Sequence, residues 1–331
     1  MIDAIRMNAA FLLQICYNPN SYQQNFRTVP EEWDLSKEEI EAVESIRCVE
    51  DLNLRGYHWT AQEHQMAKVK GTLHQCYREW SSLGAEERKQ CFAPLIRELE
   101  VHLPVTTQNK NRLKVLVPGC GLGRLVLELC SRGYATQGNE FDYFMLLTCN
   151  LMLNGSDREN IFRIAPWVEK RCNVFARADL LRPITFPDVC PADLIQKNPG
   201  YDMSMCAGEF LHVYGDHVES WDALVACFFL DTAPNIFDYL ELIYRMLKPG
   251  GILTSIGPLM YHWSNGSART DPRYGESIEL SYDELRHAIE SYGFRFVHEE
   301  RCVCKYSVRP NSMLETRYNA VQFTVQKPAR S

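Results

Sequence analysis

The chain reads as an α/β protein: a doubly wound, mostly parallel sheet with a terminal antiparallel strand pair, preceded by an α-helical N-terminal region. Three observations predict this. Short apolar runs of strand length alternate with amphipathic stretches from Lys114 onward, the pattern of a sheet covered on both faces. A glycine-rich turn separates the first of these runs from the helical stretch that follows it. Upstream, residues 35 to 103 carry only helical periodicity and helix-end signals.

The elements follow in order. Ser36 with Glu39 forms a capping box ahead of a segment that Gly56 can close. Thr60 with Glu63 forms a second, leading into Met66, Val69, Leu73, Cys76, Tyr77 and Trp80 on one helix face before Gly84. A third helix runs near Glu86 to Val101, and Pro94 is expected to split it. Lys114–Val117 is the first strand, Arg124–Arg132 its helix, closed by Gly133, and Ala135–Asn139 the second strand, ending at Glu140. Residues 155 to 200 are proline-rich and read as loop and short helix, longer than a usual crossover. Met203–Ala207 and Ala223–Leu230 are buried strands, Asn235–Leu247 an amphipathic helix, and Ile252–Ile256 the next strand. Ser281 with Glu284 caps a helix closed by Gly293, and Phe294–Glu299 and Ala320–Lys327 form the final pair. The expected organisation is therefore a helical region over 1–110, contributing to the ligand site, and an α/β domain over 111–331 with an insertion at about 155–200.

Composition narrows the function. With 331 residues, 46% apolar and 23% charged, the chain is globular rather than disordered. Its 35 basic against 42 acidic side chains give −7 without any basic cluster, which argues against a nucleic-acid partner. The 13 cysteines include no C-x-x-C pair, so they read as packing residues in a reducing compartment rather than a disulfide framework or zinc site. The most apolar run, Leu224 to Leu230, is too short to span a bilayer. The expected address is cytoplasmic, with the nucleus open, and no membrane or metal partner; a homodimer is left open.

The glycine turn carries the chemistry. Gly119-x-Gly121-x-Gly123 lies between strand and helix, and Glu140 ends the next strand, where a carboxylate can accept from ribose hydroxyls. Two nucleoside cofactors suit that arrangement, a nicotinamide dinucleotide and S-adenosylmethionine. The dinucleotide fingerprint needs a glycine where this chain has Arg124. The spacing is that of Rossmann-like class I methyltransferases, and Leu247-Lys-Pro-Gly-Gly251 resembles the turn before the fifth strand of that class.

Longer strings resemble one family. Val115-Leu-Val-Pro-Gly-Cys-Gly-Leu-Gly-Arg-Leu125, Gln137-Gly-Asn-Glu140, Cys227-Phe-Phe-Leu-Asp-Thr-Ala233, Gly257-Pro-Leu-Met-Tyr-His262 and Ser277-Ile-Glu-Leu-Ser-Tyr282 look like the carnosine N-methyltransferases, as do Phe26-Arg-Thr-Val-Pro30 and Tyr77-Arg-Glu-Trp80 upstream. The resemblance implies methyl transfer from S-adenosylmethionine to the imidazole of carnosine, a small dipeptide, giving anserine. It implies cofactor contacts at Gln75, Arg78, Gly119, Glu140, Glu209, Phe210 and Cys227, with Glu209 standing where the family carries Asp. It implies acceptor contacts at Asp231, His262, Tyr306 and Tyr318, with Asp231 as the catalytic residue. Asp231 directly follows an apolar run, where its chief structural rival is an N-cap for the next helix. Thr316 and Arg317 replace two tyrosines that precede the Tyr318 position in the family, which keeps open a different imidazole dipeptide or a protein histidine as acceptor. A non-catalytic S-adenosylmethionine-binding scaffold is the alternative from another class.

Overall fold

The computed structural model describes residues 1–17 and 63–330. The first capping box, the Thr60 half of the second and the Phe26–Pro30 string lie outside them. Along the chain the elements are α1 (Ile2–Tyr17), α2 (Glu63–Trp80), α3 (Ala85–His102), β1 (Lys114–Pro118), α4 (Arg124–Ser131), β2 (Ala135–Glu140), α5 (Tyr143–Gly155), β3 (Phe162–Ile164), α6 (Arg177–Leu181), β4 (Ile184–Phe186), α7 (Pro191–Gln196), β5 (Met203–Ala207), α8 (Phe210–Tyr214), β6 (Trp221–Cys227), α9 (Ile236–Met246), β7 (Leu247–Gly257), α10 (Tyr282–Ser291), β8 (Arg295–Lys305) and β9 (Arg317–Gln326). They fall into two compact units whose segments interleave. One comprises Met1–Ala85, Tyr143–Asp193 and Ser307–Glu315; the other Glu86–Asp142, Leu194–Tyr306 and Thr316–Ser331.

The second unit holds a seven-stranded sheet in the order β5-β2-β1-β6-β7-β9-β8. The first five strands are parallel, and β9 runs antiparallel to both β7 and β8. The predicted α/β sheet and terminal strand pair are both present. Order reverses at β1: β2 and β5 lie to one side, β6 and β7 to the other. The crevice beyond the carboxyl ends of β1 and β6 is therefore the switch point at which such sheets bind ligands. Parallel strands covered on both faces need continuous apolar runs, and Val115, Leu116 and Val117 in β1 are all buried. On one face α9 buries Ile236, Tyr239, Leu240, Ile243 and Met246, the i, i+3, i+4 stripe of an amphipathic helix.

Four local features differ from the sequence reading. β5, read as a buried strand, is an edge of the sheet among the described residues, and its residues are half-buried or exposed. Pro94 does not split α3. Proline frees the carbonyl four residues back, and that carbonyl, on Gln90, takes the Cys304 thiol at 3.9 Å. β6 stops at Cys227, three residues before the apolar run ends, so Asp231 lies in a short 3-10 turn, Leu230–Thr232, rather than closing the strand. Within the proline-rich insertion, β3 and β4 form an antiparallel pair that the reading as loop and short helix did not include.

The first unit is pinned by α1. The Asn8 side chain donates to the Ala165 carbonyl at 2.9 Å and accepts from its N–H at 2.7 Å. Three residues on, Phe11 meets the rings of Phe162 and Phe186 edge-on at 5.6 and 5.1 Å. Asn8→Ala strips both partners from a buried peptide, so its expected cost is about 1–3 kcal/mol. Urea unfolding monitored by circular dichroism would show it as a lowered midpoint.

Candidate active site

At the end of β1 the chain turns through Gly119, Gly121 and Gly123, with φ of +59°, +58° and +78°. Only glycine holds this left-handed run without strain. The turn also packs closely. A Cβ on Gly119 would sit 2.8 Å from the Phe229 ring, and one on Gly138 would sit 2.7 Å from Met205 Sδ and 2.8 Å from Cys120 Sγ. Cys120 is thus a buried wedge between loop and β2, and its N–H donates to the Asn139 carbonyl at 3.0 Å. Glu140 fastens the loop from beside it. Its Oε2 accepts from the Gly121 N–H at 2.9 Å, and its Oε1 accepts from Phe141 and Asp142, both at 2.8 Å. Burial pushes this carboxyl above its ordinary pKa, and the three N–H donors pull the other way. A carboxylate has about four acceptor positions, so roughly one remains for a ribose hydroxyl. A loop with glycine at every second position at the switch point, with an anchored carboxylate alongside, fits the nucleoside of S-adenosylmethionine.

Beyond β5, Glu209 caps α8, its Oε2 accepting from the His212 N–H at 2.8 Å. Phe210 is 3% exposed and its ring packs edge-on against Phe229 and Tyr239 at 5.3 and 5.0 Å. The ring belongs to the core, leaving its main chain as the part that can meet a ligand. Cys227 ends β6, half-buried, opposite Ile256.

The chain then turns sharply. Phe228 adopts φ +54°, a left-handed conformation uncommon for a bulky side chain, while its N–H donates to the Ile256 carbonyl at 2.8 Å. Gly257 makes room, since a Cβ there would lie 3.3 Å from Phe228 Cα. This turn aims the Phe228 ring at Tyr306 (5.2 Å) and Tyr318 (5.9 Å), which are 6.0 Å from each other. The sequence reading named the two tyrosines and missed Phe228. The only signal was its place in the Cys-Phe-Phe string, because nothing in residue type announces a positive φ.

Asp231 follows, 3% exposed. It does not cap the next helix: Asn235 does, accepting from the Phe237 N–H at 3.0 Å. Asp231 Oδ2 accepts from the Met260 N–H at 2.9 Å and its carbonyl from the His262 N–H at 3.0 Å; its own backbone N–H also faces the carboxylate, which has acceptor positions to spare for a ligand donor. Burial raises its pKa, against the Met260 N–H and the His262 charge. The His262 side chain is exposed. Asp231, Ser255, Gly257 and Asn319 line a cavity of about 210 Å³. Successive residues of a strand face opposite ways, so β9 gives Tyr318 to the aromatic trio and Asn319 to the cavity. Thr316 is exposed, and its carbonyl accepts from the Tyr306 N–H at 3.3 Å.

Gln75 and Arg78 belong to the other unit, on α2. Arg78 is buried, and the buried Gln75 Oε1 has no hydrogen-bond partner among the described residues, a state that polar groups adopt rarely without a ligand or water. Among the described residues, no group of three His, Cys, Asp or Glu could hold a metal ion, and no helix is long and apolar enough to cross a membrane.

The sequence pattern of the family described as Carnosine N-methyltransferase matches residues 56–329. A mouse protein named Carnosine N-methyltransferase is 41% identical over 280 residues, which are 84% of this chain and 67% of the mouse protein. A rat protein of that name is 40% identical over the same shares. A Dictyostelium discoideum protein of that name is 38% identical over 283 residues, 85% of this chain and 58% of its own. The chain thus spans about two thirds or less of these relatives' length.

Proposed function

Because the chain belongs to the carnosine N-methyltransferase family, a family of S-adenosylmethionine-dependent methyltransferases, we propose that it methylates an imidazole nitrogen of carnosine, β-alanyl-histidine, to give anserine. The observation that carries this reading is the buried Asp231 carboxylate, held by one oxygen and spared from helix capping. When bound, S-adenosylmethionine supplies a methyl group already activated on a sulfonium. The chain's task is placement, which can supply about 7–11 kcal/mol in a well-aligned encounter.

Gly119 and Glu140 hold the nucleoside, with Glu209, Phe210 and Cys227 toward the base. Gln75 and Arg78 keep the role that the sequence resemblance implies for them. An imidazole has a free pKa of about 6.5 and is mostly neutral at pH 7, so no strong base is needed. The tautomer is what must be fixed. Asp231 Oδ1 accepts the N–H of the non-reacting nitrogen, which turns the other lone pair toward the methyl group. It then faces the positive charge that develops on the ring. Phe228, Tyr306 and Tyr318 form a wall whose π faces suit both an aromatic ring and a growing cation. His262 meets another part of the dipeptide.

Incubation with S-adenosylmethionine and carnosine, followed by mass spectrometry, tests the proposal: a product heavier by CH₃ for H supports it. Cofactor binding without transfer to any acceptor would overturn it in favour of a scaffold. The exposed Thr316, which leaves one end of the aromatic wall without a ring, favours a second reading in which the acceptor is a longer chain bearing histidine. Methylation of protein histidine in preference to carnosine would select it. Phe228→Leu keeps the backbone turn but removes the ring; the expected result is a KM for carnosine about tenfold higher, with donor affinity unchanged by calorimetry.

A further inference from the structure

The outermost strand of the sheet carries two thiols that the proposed transfer does not use. Cys302 and Cys304 are two residues apart in β8 and share a face, with their sulfurs 4.0 Å apart. Cys302 is partly exposed and Cys304 fully buried. The pair is wired to the acceptor wall. Cys304 lies opposite Tyr318 in the β8–β9 register, and Tyr306 follows β8 directly. The Cys304 thiol donates to the Gln90 carbonyl, and the neighbouring Lys305 N–H donates to Gln90 Oε1 at 2.9 Å.

We propose that Cys302 and Cys304 form a peroxide-sensitive dithiol whose closure to a disulfide switches off the adjoining acceptor wall. When the Cys304 S–H turns from the Gln90 carbonyl to the neighbouring sulfur, it holds the Cys302 thiol below its ordinary pKa, which raises the thiolate share at the more exposed sulfur. That thiolate attacks a hydroperoxide: the S–O bond forms, the O–O bond breaks, and hydroxide (or alkoxide) leaves. Cys304 then attacks the sulfenic sulfur: the S–S bond forms, the S–O bond breaks, and the departing hydroxide takes the Cys304 proton as water. Two thiols are oxidised by two electrons, the hydroperoxide is reduced by two, and external thiol reverses the change.

Geometry makes the step feasible and gives it a consequence. Residues two apart in a strand have Cα atoms about 6.4–6.8 Å apart, at the upper end of what a disulfide spans, so closure must shorten the strand. β8 can yield because, among the described residues, it is hydrogen-bonded to a strand on one side only. Closure withdraws the Cys304 thiol from Gln90 and draws Tyr306 and Tyr318 out of register with Phe228. Misplacement of about 1 Å near a reacting group can lower turnover on the order of a hundredfold.

Arg301 and Lys305 bracket the pair, so trypsin releases Cys302–Lys305 as one peptide. After stoichiometric hydrogen peroxide and alkylation of remaining thiols, this peptide should appear two hydrogens lighter and unalkylated, and dithiothreitol should restore it. In the Cys304→Ser variant, a sulfenic-acid probe should label Cys302. Methyl transfer should fall at least about tenfold in parallel and recover with reductant, whereas Cys302→Ser should keep basal activity and resist peroxide. The buried Cys91 thiol is also within hydrogen-bond reach of Cys304, so the proposal is overturned if Cys304 is recovered bridged to Cys91, if the peptide stays fully alkylatable, or if Cys302→Ser is equally sensitive. Peptide mapping reads the dithiol whatever the acceptor proves to be.

Discussion

Asp231→Asn should yield a protein at least as stable as the parent that binds S-adenosylmethionine normally and methylates carnosine about 10²–10⁴-fold more slowly. The amide keeps the size of the carboxylate and can still accept from the Met260 N–H. It cannot be relied on to accept the imidazole N–H in the same pose, and it carries no charge to offset the imidazolium. Stability moves the other way. Burial lifts the Asp231 pKa above its ordinary 3.8, so between that value and the raised one the folded state binds more protons than the unfolded state. Stability therefore falls as pH rises through this window, and the deficit persists above it. Asparagine has no such deficit. The Tm advantage of the variant should be smallest at or below pH 3.8 and full at neutral pH. Calorimetric melts across pH, with single-turnover rates at neutral pH, test both halves. Full kcat with retained donor binding would remove Asp231 from the mechanism.

Gly119→Ala should weaken donor binding about a hundredfold and also destabilise the fold. Two effects add at this position. A left-handed φ of +59° costs a non-glycine residue about 1–2 kcal/mol, and the new Cβ, 2.8 Å from the Phe229 ring, would force the ring or the loop to move. Phe229 stacks on Tyr239 at 5.0 Å and meets Phe210 edge-on, so the displacement spreads into the floor of the site. Isothermal calorimetry should show donor affinity weaker by a factor of 100 or so, and the melting temperature should drop by several degrees. Unchanged affinity would mean that the loop does not carry the cofactor.

What could be read from the residues follows from how local each signal is. Gly119, Gly121 and Gly123 between an apolar run and a helix specify the switch point of the sheet, because tight turning is a property of those residues alone. The Ser281 and Glu284 capping box is equally local and is present as read, with Glu284 Oε2 accepting from the Ser281 N–H at 2.8 Å. The end of β6 was not legible. Phe228 looks like one more apolar strand residue, and its left-handed turn is set by partners remote in sequence, among them the Ile256 carbonyl that its N–H reaches. Pro94 misled in the opposite sense, since the thiol that satisfies the carbonyl it frees comes from the far end of the chain. Glu209 is an uncommon capping residue, and its hydrogen bond to His212 could not be read from its type.

The three N–H groups gathered by Glu140 bear on how fast a cofactor can be taken up. A glycine loop left to itself would sample many shapes, and each encounter would wait for the right one. Here Gly121, Phe141 and Asp142 are tied to one carboxylate, so the loop is already in one shape when a ligand arrives. Capture then has no ordering step of the loop to wait for, and the entropy of organising these residues is charged to folding rather than to each catalytic cycle.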